Sequence, residues 1–177
     1  QEPMTLADLS YLLWCTQGVK PMALPDRTLR TVPSAGARHP FETLLLIQRV
    51  EELEPGLYRY VASQHSLVAL RTNEPSLAGR ILRASGSQSQ IEMAAVMFIW
   101  VAVAERTTWR YGERGYRYMH LDAGHVCQNL YLAAWSIRCG TCAIGAFNDD
   151  ALNGVLELDD ASQFVIYMAT AGKRPGA

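Results

Sequence analysis

No apolar run in this 177-residue chain is long enough to cross a bilayer. The longest, Met93 to Ala104, stops at Glu105-Arg106, and the N-terminus carries neither a basic nor an apolar targeting region. A soluble, cytoplasmic protein is expected. Neither sign of charge is in excess: 16 basic residues stand against 17 acidic ones, a formal net charge of -1. Nucleic acid and anionic membrane surfaces are therefore poor partners, and a small neutral or locally anionic ligand suits the chain better. Cysteine is sparse. Cys15, Cys127, Cys139 and Cys142 sit among helix-forming and apolar neighbours, as reduced thiols do, and Cys139-Gly-Thr-Cys142 lacks the second pair that a zinc site wants. There is no Gly-x-Gly-x-x-Gly turn to grip a dinucleotide pyrophosphate, no internal repeat and no linker long enough to divide the chain. What remains, at 49% hydrophobic content, reads as one domain over residues 1–177 with room for a sizeable core.

Thr5 to Gln17 has a capping residue at its start and leucines at 6, 9, 12 and 13, the spacing of a helix that Gly18 can end. Gly18 to Pro33 reads as a polar connector. A strand is expected at Glu42 to Val50, then a hairpin built from Gly56 to Val61 and Ser66 to Leu70, a short helix from Pro75 to Arg83 and a polar loop from Ser85 to Gln90. Ala94 to Ala104 is a continuous run bearing Val and Ile, the mark of a strand buried on both faces. Met119, Ala123, Val126, Leu130, Ala133, Ala134 and Ile137 keep helical spacing through Tyr116 to Arg138, and this helix is apolar around most of its circumference. A short strand at Thr141 to Ile144, a helix at Asp149 to Leu156 and a final strand at Phe164 to Ala171 complete an α+β order with a mainly antiparallel sheet.

Chemistry concentrates in Arg30-Thr-Val-Pro-Ser-Ala-Gly-Ala-Arg-His-Pro-Phe-Glu42. Gly36 permits positive φ and close approach of a ligand, Pro33 and Pro40 stiffen both ends, and Ser34 offers a hydroxyl. The segment suits a backbone loop wrapped around an anionic, planar ligand, and it equally suits an ordinary Pro/Gly turn. Asp122, His125 and Asn129 fall at i, i+3 and i+7 on one helical face; with a single His there and no third strong ligand nearby, no metal is expected.

Five segments, in order, carry a resemblance. Pro33-Ser-Ala-Gly-Ala-Arg-His-Pro40, Pro55-Gly-Leu-Tyr-Arg-Tyr60, Trp109-Arg-Tyr-Gly-Glu-Arg-Gly-Tyr-Arg-Tyr118, Leu121-Asp-Ala-Gly-His-Val-Cys-Gln-Asn-Leu130 and Cys142-Ala-Ile-Gly-Ala-Phe147 together resemble the SagB-type dehydrogenases. These are a branch of the FMN-dependent nitroreductase family that includes the azoline oxidases of thiazole- and oxazole-modified peptide pathways. The resemblance implies a nitroreductase-like fold with flanking helices, bound FMN, a homodimer, and hydride transfer between flavin and a small-molecule or peptide substrate. NAD(P)H is one candidate electron donor, and a non-catalytic flavin carrier is an alternative of a different class. Cofactor contacts are implied for Ser34, Ala35, Gly36 and Arg38 in the loop, for Gln128 on the long helix, and for Gly145 and Ala146, whose N–H groups match the family's donor at flavin N5. Ala37 and His39 stand where many nitroreductases have Asn and Gln.

The family's Arg-x-Ser-x-Arg phosphate segment ahead of the first helix has no counterpart in this sequence. Either the chain is a fragment of a longer protein, or other cations serve: Arg30, Lys173 and Arg174 are the candidates, although Lys173-Arg174 also fits a solvated tail. Arg110-Tyr111 stands where azoline oxidases carry the Lys-Tyr pair implied to be catalytic. A guanidinium does not readily serve as a base, so Arg110 is expected to orient or stabilise an anion while Tyr111 relays a proton.

The missing dinucleotide turn gives a direct expectation about the cofactor. Flavin released from the reconstituted protein runs as FMN on chromatography, and stoichiometric FAD would overturn the reading.

Overall fold

The computed structural model describes residues 2–24, 27–159 and 162–174. Helix α1 (Leu6–Gln17) opens at Thr5, whose hydroxyl accepts the Asp8 N–H at 3.1 Å. It ends at Gly18, where any Cβ would lie 2.6 Å from the Trp14 ring and carbonyl. The next segment is not the connector that its polarity predicts. It forms an antiparallel ribbon of β1 (Val19–Leu24) and β2 (Arg27–Arg30), which among the described residues pairs with no strand of the main sheet to demand an alternating apolar face.

Beyond a single 3-10 turn at Ala35–Ala37 come β3 (Phe41–Ile47), β4 (Gly56–Val61), β5 (Ser66–Thr72), α2 (Pro75–Ala84), α3 (Ser89–Met93) and β6 (Val96–Val103). They are followed by α4 (Glu105–Tyr111), α5 (Arg114–Ser136), β7 (Cys139–Ile144), α6 (Asp149–Leu156) and β8 (Gln163–Lys173). The main sheet has the order β5-β4-β3-β6-β8-β7, with every neighbouring pair antiparallel. The expected α+β architecture is thus observed. Boundaries differ from the sequence pattern in several places: β3 ends at Ile47 rather than Val50, α3 takes up the end of the polar loop, α4 turns the aromatic segment after β6 into a helix, α5 runs two residues earlier at both ends, and β7 and β8 extend beyond the expected Thr141 to Ile144 and Phe164 to Ala171.

Strand β6 is the centre of the core, with Val96 to Ala102 all at 1% exposure or less. Val96, Phe98, Trp100 and Ala102 face α1 and α5 through Leu9, Leu12, Met119, Val126 and Leu130. Met97, Ile99 and Val101 face α2 and α6 through Leu77, Ile81, Leu152 and Leu156. Burial on both faces explains the continuous apolar run, and helices on both sides leave the strand ends and α5 to carry the polar chemistry.

Candidate functional site

The Pro33–Pro40 loop is held from beneath by one carboxylate. Asp122, on α5 and only 5% exposed, accepts the Ser34 hydroxyl at 2.7 Å and the Ala35 N–H at 3.1 and 3.2 Å. Ser34 Oγ in turn accepts the His39 N–H at 2.9 Å, closing the loop on itself. Between these ties Gly36, Ala37 and His39 all take positive φ, of 58°, 53° and 46°. Burial pushes the Asp122 carboxyl above its ordinary value, and the bonds from Ser34 and Ala35 pull it back.

Helix α4 closes over the loop. A Cβ on Gly36 would collide with the Tyr111 hydroxyl, and the Tyr111 ring stands edge-on to Tyr118 at 5.0 Å. The Arg110 guanidinium lies 5.6 Å from the centre of the Tyr111 ring. Arg38 Nε donates to the Gly36 carbonyl at 2.9 Å while its guanidinium sits 5.4 Å over Trp109, which is 67% exposed. Gly36, Trp109 and Arg110 are all exposed, so one outward-facing patch presents a backbone loop, two guanidinium groups and a tyrosine hydroxyl.

The other expected cofactor residues lie elsewhere on the chain. Gly145 and Ala146 are exposed just past β7, where the Ala146 carbonyl accepts Gln88 Nε2 at 2.9 Å. The end of β7 is tied to α5 by the Ala143 N–H, which donates to Tyr131 Oη at 2.8 Å. Tyr131 is nine residues along α5 from Asp122, a rise of about 13 Å, so the loop and this turn are fastened at different points of the helix. Gln128 is exposed on the same helix between them.

The three candidate phosphate cations do not converge either. Lys173 pairs with Asp8 at 2.6 Å, at the start of α1, which raises the pKa of its ammonium. Arg174 stacks 3.9 Å over Trp135. Arg30 instead donates to Gln17 at 2.5 Å, at the opposite end of α1 and about 13 Å along its axis from Asp8. Lys173 and Arg174 remain a cationic strand end, and Arg30 belongs to a different place.

The helical face of Asp122, His125 and Asn129 comes apart in three dimensions. Asn129 Nδ2 donates to the Cys15 carbonyl at 3.0 Å, His125 is exposed, and no cluster of His, Cys, Asp or Glu among the described residues suits a metal. Asp122 as a loop anchor escaped the sequence reading. Its signal was a charge set between core positions Met119, Ala123 and Val126, where burial obliges it to find donors. A partly exposed backbone loop, an exposed strand-end turn and a cationic strand end fit an anionic planar group such as FMN in kind, and each is fastened by its own contact: Asp122, Tyr131 and Asp8.

A model of the nitroreductase family matches residues 1–173. The nitroreductase-type protein MJ1384 of Methanocaldococcus jannaschii is 38% identical over 158 residues, covering 89% of this chain and 77% of that protein. The trifolitoxin-processing protein TfxB of Rhizobium leguminosarum bv. trifolii is 31% identical over 156 residues, 85% of this chain but 41% of TfxB. A crystal structure of a nitroreductase-type protein from Anabaena variabilis superposes with a TM-score of 0.85 and 30% identity, over 94% of this chain and 34% of that one. The chain therefore spans less than half of the last two proteins.

The contact between Gly36 and Tyr111 is open to test. Gly36→Ala costs roughly 1–2 kcal/mol for a side chain at positive φ, plus the collision with the hydroxyl. Tyr111→Phe in the same chain recovers the second part only, which a double-mutant cycle of urea denaturation resolves. Full additivity would show that the two residues do not touch.

Proposed function

This chain belongs to the nitroreductase family, and from that premise we propose that it is an FMN-dependent oxidoreductase of the SagB-type branch, acting on an organic substrate in the cytoplasm. The observation that carries the reading is the patch where the Asp122-held loop meets Tyr111. FMN, when bound, supplies the two-electron chemistry by exchanging a hydride with substrate. Lys173 and Arg174 would hold its phosphate, Lys173 by sharing its ammonium with Asp8. Ser34, Ala35, Gly36 and Arg38 would border the cofactor with backbone and charge, Gln128 would lie alongside, and Gly145 and Ala146 would offer backbone N–H groups able to stabilise negative charge. Tyr111 holds or moves a proton at its hydroxyl. Arg110 stays cationic and orients an anionic part of the substrate.

Two chains would complete this site. Leu121, Leu132 and Trp135 on α5 are 55%, 63% and 69% exposed, and Tyr11 and Trp14 of α1 extend the apolar surface. Such a stripe is costly to leave in water, and a second copy laid on it would bring the loop of one chain toward the strand-end turn of the other. Sedimentation reports twice the chain mass, and flavin binding weakens as the dimer dissociates. A monomer that holds flavin tightly at micromolar concentration contradicts this arrangement.

The narrower reading, an azoline oxidase acting on a peptide, draws on the trifolitoxin-processing relative and on the Arg110-Tyr111 pair. FMN added to the protein should give a yellow species that a nicotinamide nucleotide or a substrate bleaches without oxygen; a protein that takes up no FMN is not this enzyme. Arg110→Lys raises oxidation of a thiazoline peptide, by up to the hundred- to ten-thousand-fold that is roughly the span of general acid-base help. Tyr111→Phe lowers that gain without releasing FMN. Brisk oxidation by the unmodified protein, unchanged in Arg110→Lys, would place the base elsewhere.

A further inference from the structure

A cavity of about 380 Å³ opens beside the β1–β2 ribbon, between the start of β3, the end of β4 and the start of α4. Among the described residues its lining carries four guanidinium groups, from Arg30, Arg38, Arg59 and Arg106, and the single carboxylate of Glu42. On a chain whose formal charge is -1, that is a strong local excess of one sign. Glu42 is already spoken for, since it pairs with Arg106.

Two buried polar atoms of the lining have no partner among the described residues: Arg30 Nε and His39 Nε2. His39 is 7% exposed; its imidazole also hydrogen-bonds to the Thr28 backbone, and a buried polar atom left without a partner costs about 1–3 kcal/mol. Burial, reinforced by Arg30, pushes the His39 imidazole down to about 4, so the ring adds no charge of its own near neutrality. Burial and then the nearby Arg106 likewise lower the pKa of Arg30, against a smaller opposing pull from Glu42 and Tyr60. The lining thus holds more cationic groups than its one carboxylate neutralises, beside two buried polar atoms without a partner, an arrangement that suits an added anion.

We infer that this cavity is an oxyanion-binding site, separate from the flavin phosphate cations at the end of β8, which takes a carboxylate or phosphate group of a small ligand or of the substrate. Arg30 and Arg106 are its principal donors, since a planar guanidinium matches either anion with paired N–H groups. Its separation from the β8 end follows from α1, whose two ends hold Arg30 and Lys173 respectively. Arg38 lies on the rim and also belongs to the flavin loop, so an anion in the cavity would sit next to the proposed reaction patch.

The test is a titration of the protein, with and without FMN, by inorganic phosphate and separately by acetate at constant ionic strength, followed through the NMR signals of the His39 ring and the arginine Nε–H groups. Saturable shifts at His39 and Arg30 are expected in both forms, and whichever anion binds more tightly tells phosphate-bearing from carboxylate-bearing ligands. Arg30→Gln and, as a second variant, Arg106→Gln weaken binding about ten-fold or more, the loss of a charge-assisted bond. Glu42→Gln moves affinity the other way by removing the competing carboxylate, a sign that misfolding does not imitate. Shifts that stay linear for both anions overturn the site. So does saturation that disappears once FMN is bound, which would make the cavity the flavin phosphate pocket. A chain that takes up no flavin would remove the proposed function, yet the flavin-free titration would still decide this inference.

Discussion

A carboxylate is placed where charge is expensive, and the Pro33–Pro40 loop is arranged around satisfying it. An unpaired ionised Asp in the position of Asp122 would cost several kcal/mol, by the usual reckoning for a buried ion. The Ser34 hydroxyl and the Ala35 N–H meet that demand, and in doing so they fix the loop that carries them. The loop then has to turn through positive φ at Gly36, Ala37 and His39 to reach β3. Because the glycine leaves no Cβ, Tyr111 can lower its hydroxyl onto the turn, and α4 is drawn against α5 through Tyr118. One ion on a buried helix face thus sets the relation between a backbone loop and a tyrosine on different elements.

The same helix spaces the parts of the site. Asp122 holds the loop near the first half of α5, and Tyr131 fastens the end of β7 nearer its C-terminus. A rigid helix fixes the distance between these two anchor points. The exposed Leu121, Leu132 and Trp135, the last with Arg174 stacked on its ring, run along the outer side of the same helix. Exposure of three large apolar side chains on a helix whose other side is core argues that the outward stripe has a use.

Much of this was legible in the sequence where burial sets a strict period. The continuous run of β6 and the helical spacing of α5 locate the core because both must satisfy packing on fixed faces. The β1–β2 ribbon and α4 were not legible for the converse reason. The ribbon sits outside the main sheet, and α4 mixes Trp109, Arg110 and Tyr111 on an exposed surface, so neither shows a clean apolar face. In the site, the loop residues stood out through Pro and Gly, whereas the anchoring role of Asp122 was masked by the helical spacing that groups it with His125 and Asn129. Sequence spacing says that three side chains share a face, but only packing tells which of them is buried.

Arg30 shows what charge alone cannot specify. From the sequence it was one of three cations available for a phosphate, and electrostatics gave no reason to separate it from Lys173 and Arg174. Helix α1 makes the separation, with Asp8 in its first turn taking Lys173 and Gln17 at its last residue taking Arg30. An acidic side chain at the N-terminal end and a cation near the C-terminal end are each favoured by the helix dipole, so the two contacts reinforce the helix that divides them. The consequence is two cationic surfaces instead of one. The first lies at the end of β8, partly neutralised by Asp8, and the second lines the cavity by β3, where Arg30 and Arg106 crowd each other over buried atoms without partners. A fold that merely tolerated surplus arginine would leave it in solvent; Arg30 is instead held half-buried between Arg106 and the single carboxylate of Glu42, and the cavity beside them has the room to admit a second anion.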